Sequence, residues 1–202
     1  MTDIASTTDR AAGPPLAYDV PSLEGRRVLL RPVLPADHEW LYRQAIDARV
    51  GVRWRFHGMT PSIDRFLSVF HAGADLSCMV LARQRGEPLG VVQLLDVDHR
   101  SRHGYLSVFF AADAHDQGWP LEGLVLFLRY VFRAHDLHKL YVESLGPEVE
   151  QYRSMVGTLL TAEGVLRDHH YVFGRYYDSH VFAIYREAWD AAEAALFPSG
   201  LA

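Results

Sequence analysis

The segment from Tyr105 to Leu145 constrains the fold more than any other part of the chain. YLSVFFAA reads as an apolar strand, and AHDQGWPLEG, Ala114 to Gly123, follows as a polar turn. Pro120 to Ala134 then places Leu121, Leu124, Val125, Leu128, Val131 and Phe132 at helical spacing, and after the polar HDLH the run KLYVESL is strand-like again. Strand, helix and strand make a right-handed crossover, so these two strands are expected to lie parallel. The residues before this unit behave differently. CMVLARQR, the turn GEP, LGVVQLLDVD, the connection RSRHG and YLSVFFAA form three consecutive strands with short links, the pattern of an antiparallel meander.

Upstream, RRVLLRPVL from Arg26 to Leu34 predicts a strand, and PADHEWLYRQAID a helix opened by Asp37 with Leu41, Ala45 and Ile46 turned inward. Ser62 is placed to cap a second helix, SIDRFLSVFHAG, with Ile63, Phe66, Leu67 and Phe70 on one face. Downstream, VEQYRSMVGTLLTAEG carries Val149, Tyr152, Val156, Leu159 and Leu160 on one stripe and predicts a fourth helix. VLRDHHYVF and YYDSHVFAIY flank Gly174-Arg175 as a hairpin. At 202 residues and 49% apolar content, one domain over 23–190 accounts for the chain, with tails at 1–22 and 191–202. The first tail carries Asp3 and lacks an apolar core, which argues against a secretory signal.

Charge and residue usage exclude several functions. A net charge of −5 without Lys/Arg clusters argues against a nucleic-acid partner. No apolar run approaches the roughly 18 residues of a membrane span. The single cysteine, Cys78, excludes an internal disulfide and fits a cytoplasmic location. Among eleven histidines only HDLH and His169-His170 are close groupings, and neither has a convincing partner set of carboxylates or thiols, so no metal is expected.

The order β-α-α-β-β-β-α-β-α-β-β, with the run AEGVLRDHHYVFGRYYDSHVFAIYREAW from Ala162 to Trp189, resembles the GCN5-related N-acetyltransferase (GNAT) superfamily. Within it, the resemblance is to the branch that acetylates ribosomal-protein N-termini and many small amines. Glu163, Gly164, Leu166, Arg167 and Asp168, then Gly174, Arg175, Tyr176 and Asp178, then Arg186, Glu187 and Trp189 stand in that branch's order. The resemblance covers about Leu23 to Trp189. It implies an α+β fold: a twisted, mostly antiparallel sheet of about seven strands with four helices, and a parallel pair that splays at the cofactor cleft. It also implies acyl transfer, usually of acetyl, from acetyl-CoA as co-substrate to a primary amine of a small molecule or a protein N-terminus, without a metal. A donor on an acyl carrier protein, a non-catalytic binding or regulatory protein, and a homodimer are left open.

On the same resemblance the Tyr105–Ala111 strand offers backbone groups to the pantetheine arm, with Phe109, Phe110 and Ala111 nearest the loop. The loop and helix start, His115, Asp116, Gln117, Gly118, Trp119 and Leu121, would hold the diphosphate, because unpaired N–H groups at a helix start bind anions without lysines. Laid on the superfamily's Arg/Gln-x-x-Gly-x-Gly/Ala pattern, His115 takes the first position, Gly118 the central glycine and Pro120 the last. Proline is tolerated at the first helical position. Asp116 sets a carboxylate beside the diphosphate's place unless it turns outward or pairs with His115. The alternative is that HDQGWP is a plain turn with Trp119 packed as core.

Amine acylation needs a base for the ammonium and an acid for the leaving thiolate. Relatives use a strand glutamate where this chain has Tyr105. His103, two residues earlier, is a candidate base or an ordinary turn histidine, and Glu143 a base acting through water or a charge at a strand end. For the acid, Tyr152 and Ser154 are available, Tyr152 competing with a core role. Glu148 stands where relatives place a cofactor-touching asparagine. RWRFHG, with Arg53, Trp54 and Phe56, joins the acceptor region, and its alternative is a packed loop with solvated arginines.

Overall fold

The computed structural model describes residues 21–47, 50–112, 114 and 119–196. Val28–Pro32 (β1), Ala74–Ala82 (β2), Pro88–Asp98 (β3), His103–Phe110 (β4), Lys139–Leu145 (β5), Thr161–Val172 (β6) and Arg175–Tyr185 (β7) form one seven-stranded sheet in the order β1-β2-β3-β4-β5-β7-β6. Every neighbouring pair is antiparallel except β4 and β5, which are parallel as the crossover requires. His38–Ile46 (α1) and Ile63–His71 (α2) cover one face of the sheet, and Trp119–Ala134 (α3) the other.

Period-two alternation sorts the central strands between these layers. Cys78, Val80, Ala82, Val92 and Leu94 join the core beneath α3, while Met79, Leu81, Val91 and Phe109 join the core beneath α1 and α2. Both faces of β2 and β3 are therefore apolar, which is why those strands read as continuous hydrophobic runs. Burial pushes the Cys78 thiol up to about 11. Ser62 caps α2 as expected, its hydroxyl accepting the Arg65 N–H at 3.3 Å, and α2 buries Phe66 and Phe70 while Ile63 stays exposed. Asp37 makes no side-chain cap. Its carboxylate accepts two hydrogen bonds from Arg31, at 2.7 and 2.8 Å, and one from the Leu34 N–H at 2.8 Å. Those partners, Arg31 foremost, hold the carboxyl below the usual range against the opposing effect of burial.

α3 lies close on the sheet because Gly123 faces it: a Cβ there would stand 2.8 Å from Val80 Cγ1. Its first-turn Glu122 accepts hydrogen bonds from the Arg27 backbone N–H (3.0 Å) and Nε (3.1 Å), tying the start of β1 to the helix. Leu121, placed on the apolar face from its spacing, is instead 57% exposed.

The helix expected from Val149 is absent. Gly146–Met155 is a 3-10 segment opened by Pro147, and Gly157, at φ +87°, lies in the turn that leads into β6. Val149, Tyr152 and Met155, spaced by three, pack on the core, whereas Val156 of the supposed stripe is 39% exposed. Three residues per turn is the 3-10 period, so the side chains that pack follow that geometry and not 3.6. The fourth α-helix is Arg186–Leu196 (α4), which runs into the segment assigned to a tail. Arg186 donates to the carbonyls of Phe132 (2.6 Å), His135 (2.8 Å) and Leu137 (2.8 Å), capping the end of α3, and Trp189 is fully buried, stacked 6.2 Å from Phe132. The β6–β7 hairpin turns on Phe173 and Gly174, at φ +43° and +87°, the two left-handed residues that a two-residue turn of right-handed strands requires. Arg167 and the Asp168 N–H both donate to the Asp178 carboxylate, at 2.6 and 3.0 Å, across a bulge in that hairpin.

Candidate active site

The parallel pairing of β4 with β5 covers only His103↔Lys139 to Tyr105↔Tyr141. Beyond it β4 stays paired with β3 up to Gly90↔Phe110, and β5 with β7 up to Leu145↔Ser179, so the two strands part and leave the facing edges of Leu106–Phe110 and Val142–Leu145 without a strand partner. A cavity of about 660 Å³ opens at this gap.

Eight of the residues weighed for the site from the sequence line it: Arg53, Trp54, Tyr105, Phe109, Phe110, Glu143, Glu148 and Tyr152. Trp54 stacks on Phe109 at 4.6 Å, so the loop before α2 is seated directly on the parting strand. Arg53 pairs with Glu148 at 2.9 Å, joining that loop to the 3-10 segment. Burial holds the Glu148 carboxyl above its usual range, with Arg53 acting the other way. The Tyr152 phenol is also raised, by burial and then by Glu148, so it stays protonated through neutral pH. Tyr105 is raised by burial and by Glu143. Glu143 accepts a long hydrogen bond, 3.4 Å, from the Ser179 hydroxyl.

Other expected residues lie elsewhere. His103 is not part of the lining: it sits at the closed end of the strand pair, opposite Lys139, with its ring against Tyr141 at 5.4 Å. Ser154 is exposed and outside the cavity, because the three-residue period that turns Tyr152 inward turns it away. Phe56 is buried against Phe66 in the core beneath α1 and α2. Ala111 and Trp119 line a separate cavity of about 330 Å³, and the exposed Leu121 lines neither. His115, Asp116, Gln117 and Gly118 lie outside the described residues.

The lining also holds His57 and Asp96, which sequence reasoning passed over, with Arg55 of RWRFHG and His170, weighed there only as part of a metal grouping. Arg55 donates to the Val69 carbonyl at 3.0 Å and to Gln93 Oε1 at 2.8 Å. Gln93, fully buried, donates in turn to Phe70 O and Ser77 Oγ. RWRFHG and the His169-His170 pair were visible in the sequence, but nothing there places them against each other. Among the described residues no three His, Cys, Asp or Glu side chains converge as a metal site, and no helix is long and apolar enough to cross a membrane.

Residues 27–145 match the family model for the acetyltransferase (GNAT) domain, more than half of the chain. The chain belongs to the GNAT acetyltransferases. Solved GNAT structures share its fold. A spermidine N-acetyltransferase from Vibrio cholerae, in complex with CoA and spermine, superposes with a TM-score of 0.69 over 81% of this chain and 98% of its own, at 20% identity. The spermidine/spermine N-acetyltransferase from the same organism in complex with manganese ions gives a TM-score of 0.62 over 86% and 97%, also at 20% identity. A chimera of the V. cholerae spermidine enzyme gives 0.69 at 18% identity, over 81% and 98%. Among curated proteins no sequence match was found.

Proposed function

We propose that this GNAT protein transfers an acetyl group from acetyl-CoA to the primary amine of a small molecule by direct attack in a ternary complex. The parting of β4 and β5 over an open cavity carries this reading. Unpaired strand edges at Leu106–Phe110 and Val142–Leu145 offer alternating N–H and C=O groups to an amide-rich arm, as an added strand would take them. Tyr152 is the proposed acid. Its raised phenol lines the cavity and keeps a proton to give the departing thiolate. Glu143 and Asp96, with Tyr105 between their strands, supply the negative charge and aromatic wall that attract an ammonium group. Glu148, neutralised in part by Arg53, does not present a bare carboxylate at the cleft.

Calorimetric titration with acetyl-CoA and, separately, with 4′-phosphopantetheine tests the donor. Binding of acetyl-CoA with thiol release on adding spermidine, tyramine or a serine-initiated tripeptide supports the reading, and the amine that turns over fixes the acceptor class. Binding of the short arm alone transfers the donor role to a carrier protein, and binding of neither removes the enzyme reading.

A further inference from the structure

His57 comes from the loop before α2 and His170 from β6, and their rings meet at 4.5 Å between centroids on the wall of the cavity. The meeting is held on both sides. The Phe173 ring at the hairpin tip lies over Gly58, where a Cβ would come within 2.5 Å of Phe173 Cζ. His57 itself is at φ +49°, a left-handed conformation that a non-glycine residue adopts at a cost and that recurs where a side chain is aimed for function. Its Nδ1 lies 3.3 Å from the Val52 carbonyl. A carbonyl only accepts, so that nitrogen carries the proton and the Nε2 lone pair is left free. An oriented imidazole with a free lone pair in the cavity is the geometry of a general base.

We propose that His57, paired with His170, takes the proton of the acceptor's ammonium group, a role that rests on the acetyl-transfer reading above. In the step, the ammonium N–H proton passes to His57 Nε2. The freed nitrogen lone pair bonds to the thioester carbonyl carbon, the C–S bond breaks, and the sulfur takes the Tyr152 hydroxyl proton. The second proton lost by the nitrogen restores Tyr152, and His57 releases its own to solvent.

An aliphatic ammonium, with a pKa near 10, is almost wholly protonated at neutral pH, and an imidazole is a stronger base than a carboxylate by about two units. The pair also resists being doubly charged: His170 is held below the usual histidine range by burial, then by His57 and His169. The other titratable or charged groups around it are His169, whose ring lies 4.7 Å from that of His170, Tyr177 opposite His170 on β7, and Arg53, Arg55, Asp96, Tyr105, Glu143, Glu148 and Tyr152 on the cavity wall.

The test is the pH profile of kcat/KM for thiol release from acetyl-CoA with spermidine, tyramine and a serine-initiated tripeptide. It compares wild type, His57→Asn, which tolerates the left-handed backbone, and His170→Gln. His57→Asn is expected to lose about a hundredfold at pH 7. Its rate should then climb tenfold per pH unit towards the amine's own pKa, because only amine deprotonated in solution can react. A merely structural role would lower the profile without changing its shape. His170→Gln is expected to move the acidic limb, and in His57→Asn the His170 ring, followed by NMR, should titrate at higher pH than in wild type. A profile of wild-type shape in both variants overturns the base assignment and leaves acetyl transfer standing. Wild type that releases no thiol with any of the three amines overturns both.

Discussion

Replacing Tyr152 by phenylalanine isolates the proposed acid, because the ring is kept and only the hydroxyl leaves. The ring stands 6.2 Å from Phe182 and packs on the core from the 3-10 segment, contacts that phenylalanine reproduces. Stability should therefore change by no more than about 1 kcal/mol, and the affinity for acetyl-CoA by less than about threefold. The rate should change far more. A positioned acid contributes on the order of 10²- to 10⁴-fold, which is about 3 to 5 kcal/mol of barrier. The wild-type phenol is held above its usual range, so the donor is intact throughout neutral pH and the loss should be nearly constant from pH 6 to 9. Initial rates of thiol release at saturating acetyl-CoA, with calorimetry on the same preparations, measure both quantities. A kcat within threefold of wild type, with binding and folding unchanged, would refute Tyr152 as the acid and with it the assignment of the 3-10 segment to the chemistry.

Three further outcomes follow from the packing. Arg186→Ala leaves three carbonyls, one in the last turn of α3 and two just beyond it, without their guanidinium and should cost about 3 kcal/mol in urea unfolding, with Arg186→Lys recovering only part. Gly123→Ala should cost about 1 to 3 kcal/mol by overpacking against Val80, and Val80→Ala in the same chain should restore a measurable share of the thermal midpoint. Asp37, with its folded carboxyl depressed, contributes its stability in full above the unfolded value of about 3.9 and loses it as pH falls through the folded value. Asp37→Asn should thus be less stable than wild type at pH 7 by about 1 to 3 kcal/mol, with the gap closing in chemical denaturation as pH falls through the depressed folded value.

Much of the fold is local in origin and so was legible. Ser62 caps where its position implies, the meander and crossover alternate as their periods require, and the hairpin falls within a residue of Gly174. The fourth helix was misjudged because 149 and 152 satisfy both a 3.6 and a 3.0 period, and only the burial of Met155 against the exposure of Val156 separates them. The closing Arg-Glu-x-Trp run was legible as a pattern but not as a task, since the carbonyls that Arg186 binds lie in the last turn of α3 and the connection after it, far away in sequence. At the site, residues on β4, on β5 and in the loop before α2 were anticipated from the resemblance to the superfamily. The contact of His57 with His170 was not, because it depends on where the hairpin tip comes to rest. His103 shares a strand face with Tyr105, but only the end of the pairing at Tyr105↔Tyr141 decides which side of the gap each occupies.

The buried Cys78 has a practical consequence. It is the chain's only sulfhydryl, and with its proton held to about pH 11 roughly one molecule in a thousand carries a thiolate at pH 8. A chromogenic disulfide added to the native protein therefore meets almost no reactive sulfur of the protein's own. Colour that develops with an amine present reports released coenzyme, molecule for molecule, and the same reagent in denaturant counts the protein through the one cysteine that unfolding uncovers.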